Sequence, residues 1–310
     1  MCILTSVFCF PQENQVIKYI GSINSGQANG KKSALRMISN LLFGKKETEI
    51  RNPVAVYAEN PENVWILSQG NGTLVEKTEN ELTVLPAFRK AGNRMPSLVG
   101  ICMAEGNILL TDSYNENIYK LSADGNSLEK FPEELNLERP TGIAYSEISD
   151  EIWVAETSAH RIRILDRQGN HLRYVGRRGS GEGEFNYPTH IWIDNDGTVY
   201  IVDSMNFRVQ IFSHRGEYLS SFGKAGNGSG DIARPKGIAT DSYSNIYLVD
   251  ALFHTVQIFD RDGNYLYRFG GQGREEGQFW MPNGIYIDQN NYIYVSDNYN
   301  NRVQIFRLIK

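Results

Sequence analysis

The fold class this sequence predicts is all-β: a six-bladed β-propeller of four-stranded antiparallel blades, with the last blade closed by the N-terminal strand. Three observations predict it: a repeated strand–loop–strand motif, the regularity of its period, and a lone N-terminal strand that matches the strand missing from the last repeat. The motif is clearest in Asn291-Tyr-Ile-Tyr-Val-Ser-Asp-Asn-Tyr-Asn-Asn-Arg-Val-Gln-Ile-Phe306. Ile293, Val295, Val303 and Ile305 suit a pleated sheet, and the Asn-rich stretch between them reads as a tight hairpin loop. Asp297 ends the first strand and Arg302 begins the second, so the hairpin sets them side by side as an opposite-charge pair.

The motif recurs upstream. Residues ending the first strand of each copy are Ser68, Asp112, Glu156, Asp203, Asp250 and Asp297, spaced by 44, 44, 47, 47 and 47 residues. So regular a period, with short strands and no helix between them, marks a repeat architecture, and about 40–50 residues per unit is the size of one four-stranded blade.

Residues 14–23 read as a lone strand resembling the outer strands at Asn264–Gly270 and Tyr218–Gly223, while the sixth unit stops after its third strand. The first strand of the chain therefore completes the last blade and leaves no open face between blades. In the last three units the Gly that ends the outer strand precedes the next anchor by 27 residues (176 to 203, 223 to 250, 270 to 297). From Gly21 to Ser68 the gap is 47, an excess of 20. The excess is assigned to the segment 24–49, where Leu35, Ile38, Leu41, Leu42 and Phe43 share a helical face among Lys31, Lys32, Arg36, Lys45 and Lys46. It reads first as a helix capping the propeller and second as a membrane-surface or partner helix.

Each later Gly-rich loop (176–185, 223–230, 270–279) leads to a Pro that starts an inner strand: Pro188, Pro235 and Pro282, with Pro53 and Pro140 in the same place earlier. Phosphate-binding loops open helices, and these open strands, so the glycines serve the turn. The inner strands, such as His190-Ile-Trp-Ile-Asp194 and Gly284-Ile-Tyr-Ile-Asp288, are nearly continuous in apolar residues, as strands covered on both faces are.

With 310 residues, 41% of them hydrophobic, the chain can build one large core, and the repeat outweighs a two-domain division by length. Residues 14–310 are taken as one propeller and 1–13 as a leader. The net charge of −5 gives no basis for nucleic-acid binding. Three cysteines make no disulfide framework, and Cys102 lies in an apolar strand as an inert thiol. No run reaches the roughly 18 apolar residues of a membrane span. Ile3 to Phe10 is too short for a signal core, and Cys2 stands where a lipoprotein's acceptor cysteine would. The expected location is extracytoplasmic, periplasmic or at the cell surface, with a cytoplasmic start as the alternative.

The chain resembles NHL-repeat propellers, whose pattern is Pro-x-Gly-Ile, then an apolar strand with Asp-Ser-x-Asn-x-Arg, then an apolar strand and a Gly-rich loop. Asp203-Ser-Met-Asn-Phe-Arg208 fits fully and Asp297 to Arg302 nearly. Asp112-Ser-Tyr-Asn-Glu-Asn117 lacks the Arg, Asp250 is followed by Thr255 in the Arg position, and unit one has Ser68. The resemblance covers roughly 50–310 plus the closing strand. Pro11 and Val16 to Ile23 also resemble the start of bacterial NHL propellers exported as lipoproteins. It implies scaffolds, RNA binders or enzymes, the last with metal at the central channel.

Strand alternation gathers the loops after the anchors on one face. The Asp203–Arg208 and Asp297–Arg302 pairs there read as a structural hairpin clasp, treated as exposed and worth about 0.2–1 kcal/mol each. His190 replaces the Gly of neighbouring inner strands, and with His160 and His254 it offers three imidazoles for zinc, against the reading that the two tips lie too far from the axis. Tyr114, Met205, Phe207, Leu252, Phe253 and Tyr299 put large apolar side chains on the tips, a partner surface that includes His190 at the channel mouth. The function expected is a non-catalytic, monomeric scaffold binding a protein or peptide on that face, with no cofactor and no nucleic acid. Membrane contact would come only through an N-terminal lipid or the 24–49 segment. The alternative is a metal-dependent lyase or lactonase-like enzyme, with one zinc or calcium ion in the channel near His190.

Overall fold

The computed structural model describes residues 7–9, 16–25, 49–79, 81–88 and 97–309. They form six antiparallel sheets, one for each predicted unit. In the fourth blade the strands Pro188–Ile193, Val199–Asp203, Arg208–Phe212 and Tyr218–Phe222 pair in sequence order, the first lining the axis. Each blade is a simple meander because short polar loops join strands whose apolar residues face neighbouring blades.

The closing strand lies where the sequence places it. Val16–Asn24 pairs antiparallel with Arg302–Ile309, from Val16 opposite Ile309 to Asn24 opposite Arg302. Its inward residues Ile17, Tyr19 and Ile23 are buried. One strand was not foreseen. Val7–Cys9, counted with the leader, pairs with Val16–Lys18 and makes the last blade five-stranded. The basic helix expected in 24–49 falls, apart from its first two and last residues, outside the described residues, as does Cys2. Among the described residues no helix is long and apolar enough to cross a membrane.

Six hydrophobic clusters fill the six blade-to-blade interfaces. The cluster of Ile23, Val303 and Ile305 with Val56, Val64 and Ile66 joins the last blade to the first and closes the ring. The inner strands approach closely where glycine follows the proline by two. A Cβ on Gly142 would lie 2.7 Å from the Thr189 carbonyl, and one on Gly284 2.5 Å from that of Val54. Gly100, Gly142, Gly237 and Gly284 keep four blades free of side chains at that level, and Ala55 and His190 are the exceptions.

Candidate functional site

The hairpin face is built by the anchors. Asp203 is fully buried and accepts hydrogen bonds from the Asn186 backbone N–H (2.7 Å), Asn206 (2.8 Å), Arg208 Nε (2.9 Å) and Gln210 Nε2 (3.2 Å). Asp297 repeats the set with Trp280, Asn300, Arg302 and Gln304. Both predicted pairs are thus in contact, but their carboxylates are not exposed. The Gly-rich loop covers them, because Arg208 also donates to the Gly181 and Glu184 carbonyls and Gln210 to that of Glu184. The value for an exposed pair therefore does not apply; breaking a buried one costs about 3–5 kcal/mol. In the third blade the longer Glu156 reaches both Arg161 (2.6 Å) and Arg163 (2.9 Å).

The fourth residue after each anchor has left-handed backbone: Gly72, Glu116, His160, Phe207, His254 and Asn301, with φ from 53° to 62°. That conformation sends the side chain toward the next blade. His160 Nδ1 accepts from the Tyr187 N–H (3.2 Å), His254 Nδ1 from that of Met281 (3.0 Å), Asn301 from that of Asn52 (2.9 Å) and Glu116 from that of Arg139 (3.3 Å). The two histidines are latches between blades, each with Nδ1 occupied by a backbone donor. Burial lowers the pKa of His254, partly opposed by Asp297 and Asp250. His190 stands apart, on an inner strand. Among the described residues no three His, Cys, Asp or Glu side chains are arranged to hold a metal ion.

The predicted apolar tips divide. Tyr114, Met205, Leu252 and Tyr299 are exposed by 75%, 54%, 56% and 57%. Phe207 and Phe253 are only partly exposed, and Phe207 packs on the core between the fourth and fifth blades.

A central channel of about 890 Å³ is lined by the inner strands of all six blades. It narrows at the glycine ring beside His190 and opens on the opposite face, among the loops between first and second strands: Glu105, Gly106, Glu147, Ile148, Asn195, Asp196, Ser242 and Gln289. One inner-strand level differs from blade to blade. The fourth residue beyond the proline position is Tyr57, Cys102, Ala144, Trp192, Ala239 and Tyr286 in blades one to six. Trp192 donates its indole N–H to Thr240 (2.8 Å) and meets Tyr286 edge to face at 5.4 Å; Tyr286 meets Tyr57 at 5.0 Å. The result is an aromatic corner on blades four, six and one, facing small side chains on blades two and three.

Burial, then Lys236, pushes the His190 pKa down to about 3, so its ring is neutral, with Thr189 Oγ1 3.3 Å from Nδ1. Burial pushes the Cys102 thiol up to about 12. At the mouth, burial and the hydrogen bond with Asp196 push Asp194 up to about 7, while that bond holds Asp196 low. Arg261 pairs with Asp196 at 2.6 Å and Tyr200 donates to Asp194 at 3.2 Å. Asp196 also donates its backbone N–H to Asp194 at 3.2 Å, at the cavity rim. Sequence reading passed over this level because it treated the inner strands as uniformly apolar; the alternation of Trp or Tyr with Ala or Cys was the available signal.

In comparisons with known proteins, residues 132–206 and 195–256 match a family described as a 6-bladed β-propeller, and residues 279–306 match the NHL repeat. No curated protein matches the sequence. An auxiliary nutrient binding protein from Bacteroides ovatus superposes with a TM-score of 0.66 at 13% identity, covering 96% of this chain and 78% of its own. Virginiamycin B lyase from Staphylococcus aureus gives 0.60 at 15% identity, covering 84% and 97%. A chain of a nidogen–laminin complex gives 0.61 at 12% identity, covering 94% and 97%. At such identities these structures show the fold alone. The chain is a six-bladed β-propeller with a segment, residues 279–306, that matches the NHL repeat.

Proposed function

We propose that the protein is a non-catalytic binding propeller whose ligand seats in the central cavity through the mouth formed by the first loops of the blades. The observation that carries this reading is the broken symmetry of the cavity wall. The residue just before this level is Val or Ile in all six blades, whereas this level sets Tyr57, Trp192 and Tyr286 against Cys102 and Ala144. Convergent aromatic and polar groups in a deep, preformed concavity are what a small-ligand site requires. The rival, an enzyme centred on His190, finds less support. The His190 pKa, lowered to about 3, makes the ring a weak proton acceptor, and among the described residues no carboxylate is hydrogen-bonded to it to orient it as a base. A shared fold with a lyase and with a nutrient-binding protein is neutral between the two readings.

A protein partner on the hairpin face is the second reading, favoured by the exposure of Tyr114, Met205, Leu252 and Tyr299 on four blades. The two readings place the ligand on opposite faces.

The test is a panel of amines, neutral sugars and carboxylic acids, followed by melting temperature and tryptophan emission. At least one class is expected to raise the melting temperature of the wild type by several degrees, and to do so much less in a folded Trp192→Ala or Tyr286→Ala variant. If no class distinguishes wild type from folded cavity variants, the cavity is not the site. Loss of protein capture in Leu252→Ala/Tyr299→Ala would then favour the hairpin face.

A further inference from the structure

We infer that the cavity selects an organic cation, an amine or guanidinium group carried on a small molecule; the inference rests on the cavity reading and names its ligand class. Charge accounting along the wall is the first ground. Among the described residues six carboxyl side chains line the cavity and its mouth (Glu105, Glu147, Asp194, Asp196, Asp241 and Asp288) and no Lys or Arg does. Several are occupied. Asp241 accepts from Asn245 and Tyr247, Asp288 from Tyr294, Glu105 pairs with Arg167 at 3.3 Å, and Asp196 pairs with Arg261. Glu147 has no ion-pair partner within 4 Å among the described residues. Glu59, close enough to act on both Tyr57 and Tyr286, accepts a long bond from Asn63. The cations nearest the mouth, Arg167 and Arg261, stand behind acids rather than on the wall.

The second ground is independent of charge. Trp192, Tyr286 and Tyr57 pack edge to face, with interplanar angles of 73° and 64°. Rings set nearly at right angles make a corner, and the negative faces of a corner attract a cation that has shed part of its water. The indole is fixed by its bond to Thr240 and Tyr286 is wedged between two rings, so little ordering remains for the ligand to impose. A low-dielectric cleft lined with one sign of charge also concentrates counter-ions at its mouth.

The opposite end has the reverse character, and it gives the cavity a direction. Lys236 stands beside the narrow end, close enough to His190 to help keep that ring neutral, with Arg234 and Arg139 near it. A cation entering from the acidic mouth therefore meets aromatic rings midway and positive charge beyond them. The field favours a ligand whose charged group stops at the aromatic level.

The experiment uses three probes on one carbon frame: phenethylamine, 2-phenylethanol and phenylacetate. Binding is read from the emission of the full chain and confirmed by calorimetry in low and high salt. The amine is expected to bind at least tenfold more tightly than the alcohol, with the acid weakest and the amine's advantage shrinking in salt. Glu59→Gln/Glu147→Gln should weaken the amine several-fold and leave the alcohol unchanged; Trp192→Phe, which keeps a ring, should retain most of the affinity that Trp192→Ala loses. Equal binding of amine and alcohol would overturn the cation inference while leaving the cavity reading standing. Binding of the acid in preference to the amine, or no binding by the amine, overturns it as well, and the panel described above then decides whether the cavity binds anything.

Discussion

The hairpin tips and the channel wall are both rings of six equivalent positions, yet they are written differently. At the tips the equivalents agree. The anchors are acids in five blades, the fourth residue beyond is left-handed in all six, and its side chain is an acceptor for the next blade in four. On the wall they disagree, with three aromatic residues and three small ones at a single level. Repetition marks what the ring needs in order to stand, and each blade needs the same thing. A ligand needs an uneven wall. The histidines illustrate the error that follows from ignoring this. His160 and His254 looked like candidate ligands by residue type, but they occupy a position that Asn301 and Glu116 fill in the same way.

The largest effect expected from breaking the repeated frame is loss of closure. A chain lacking residues 1–24 would lose Ile17, Tyr19 and Ile23 from the core, together with the Tyr19–Phe306 contact at 5.7 Å. Buried side chains of this kind contribute about 1.5–3 kcal/mol each, against a total of about 5–15 kcal/mol for a typical domain. The truncated protein should melt more than ten degrees lower or lose its cooperative transition in calorimetry. A melt within two or three degrees of wild type would mean that the ring holds without its clasp.

Next in size is the contrast between full and degenerate copies of the anchor. Asp297→Ala leaves the Arg302 guanidinium and Gln304 without their acceptor and should cost about 3–5 kcal/mol. Among the described residues Asp112, in the same place, receives the Tyr114 and Asn115 backbone N–H groups and the Asn115 side chain, and Asn117 stands where Arg would, so no guanidinium is left without its acceptor. Asp112→Ala should cost about 1–3 kcal/mol. Urea titrations of both variants measure the difference, and equal losses would show that the arginine adds nothing to the anchor.

Much of the frame was legible because its causes are local. The period, the proline-led inner strands and the Asp–Arg spacing each follow from hairpin geometry, which depends on neighbours in sequence. The closing strand was legible from its likeness to the later outer strands, but its register was not: Asn24, not Gly21, lies opposite Arg302 where Gly270 lies opposite Thr255. Three features were hidden because they depend on what packs from elsewhere. Gln210 and Gln304 read as ordinary strand residues, yet both are fully buried and tie a Gly-rich loop some 26 residues upstream to the anchor. The burial of the anchor carboxylates comes from that same loop. The aromatic corner joins side chains from blades four, six and one, and no spacing within a repeat encodes it.

The smallest effect lies at one departure from the frame. Asp241 accepts the Asn245 amide four residues on, but Asp194 has Thr198 in that position, and Asp196 bonds to it instead. Asp194 therefore keeps its proton up to about pH 7 in the folded protein, whereas an ordinary Asp loses it near pH 4. Between those values the folded chain holds one proton more than the unfolded chain, so this group's contribution to stability falls as pH rises through the window and is gone above it. Asp196 is held low and acts the other way, losing its contribution only as pH falls below about 4, outside the window. The groups that face the pair, Arg261, Tyr200 and Thr198, keep their protonation throughout. Asp194→Asn can still donate to Asp196 but cannot ionise, so it removes the slope. The pair is partly exposed, and after solvent screening the variant should gain about 1 kcal/mol on wild type between pH 5 and pH 8. Urea unfolding of both proteins at the two pH values measures this gain. If the difference between them is the same at pH 5 and pH 8, Asp194 does not keep its proton through that window, and the fourth blade's mouth is no different from the fifth's.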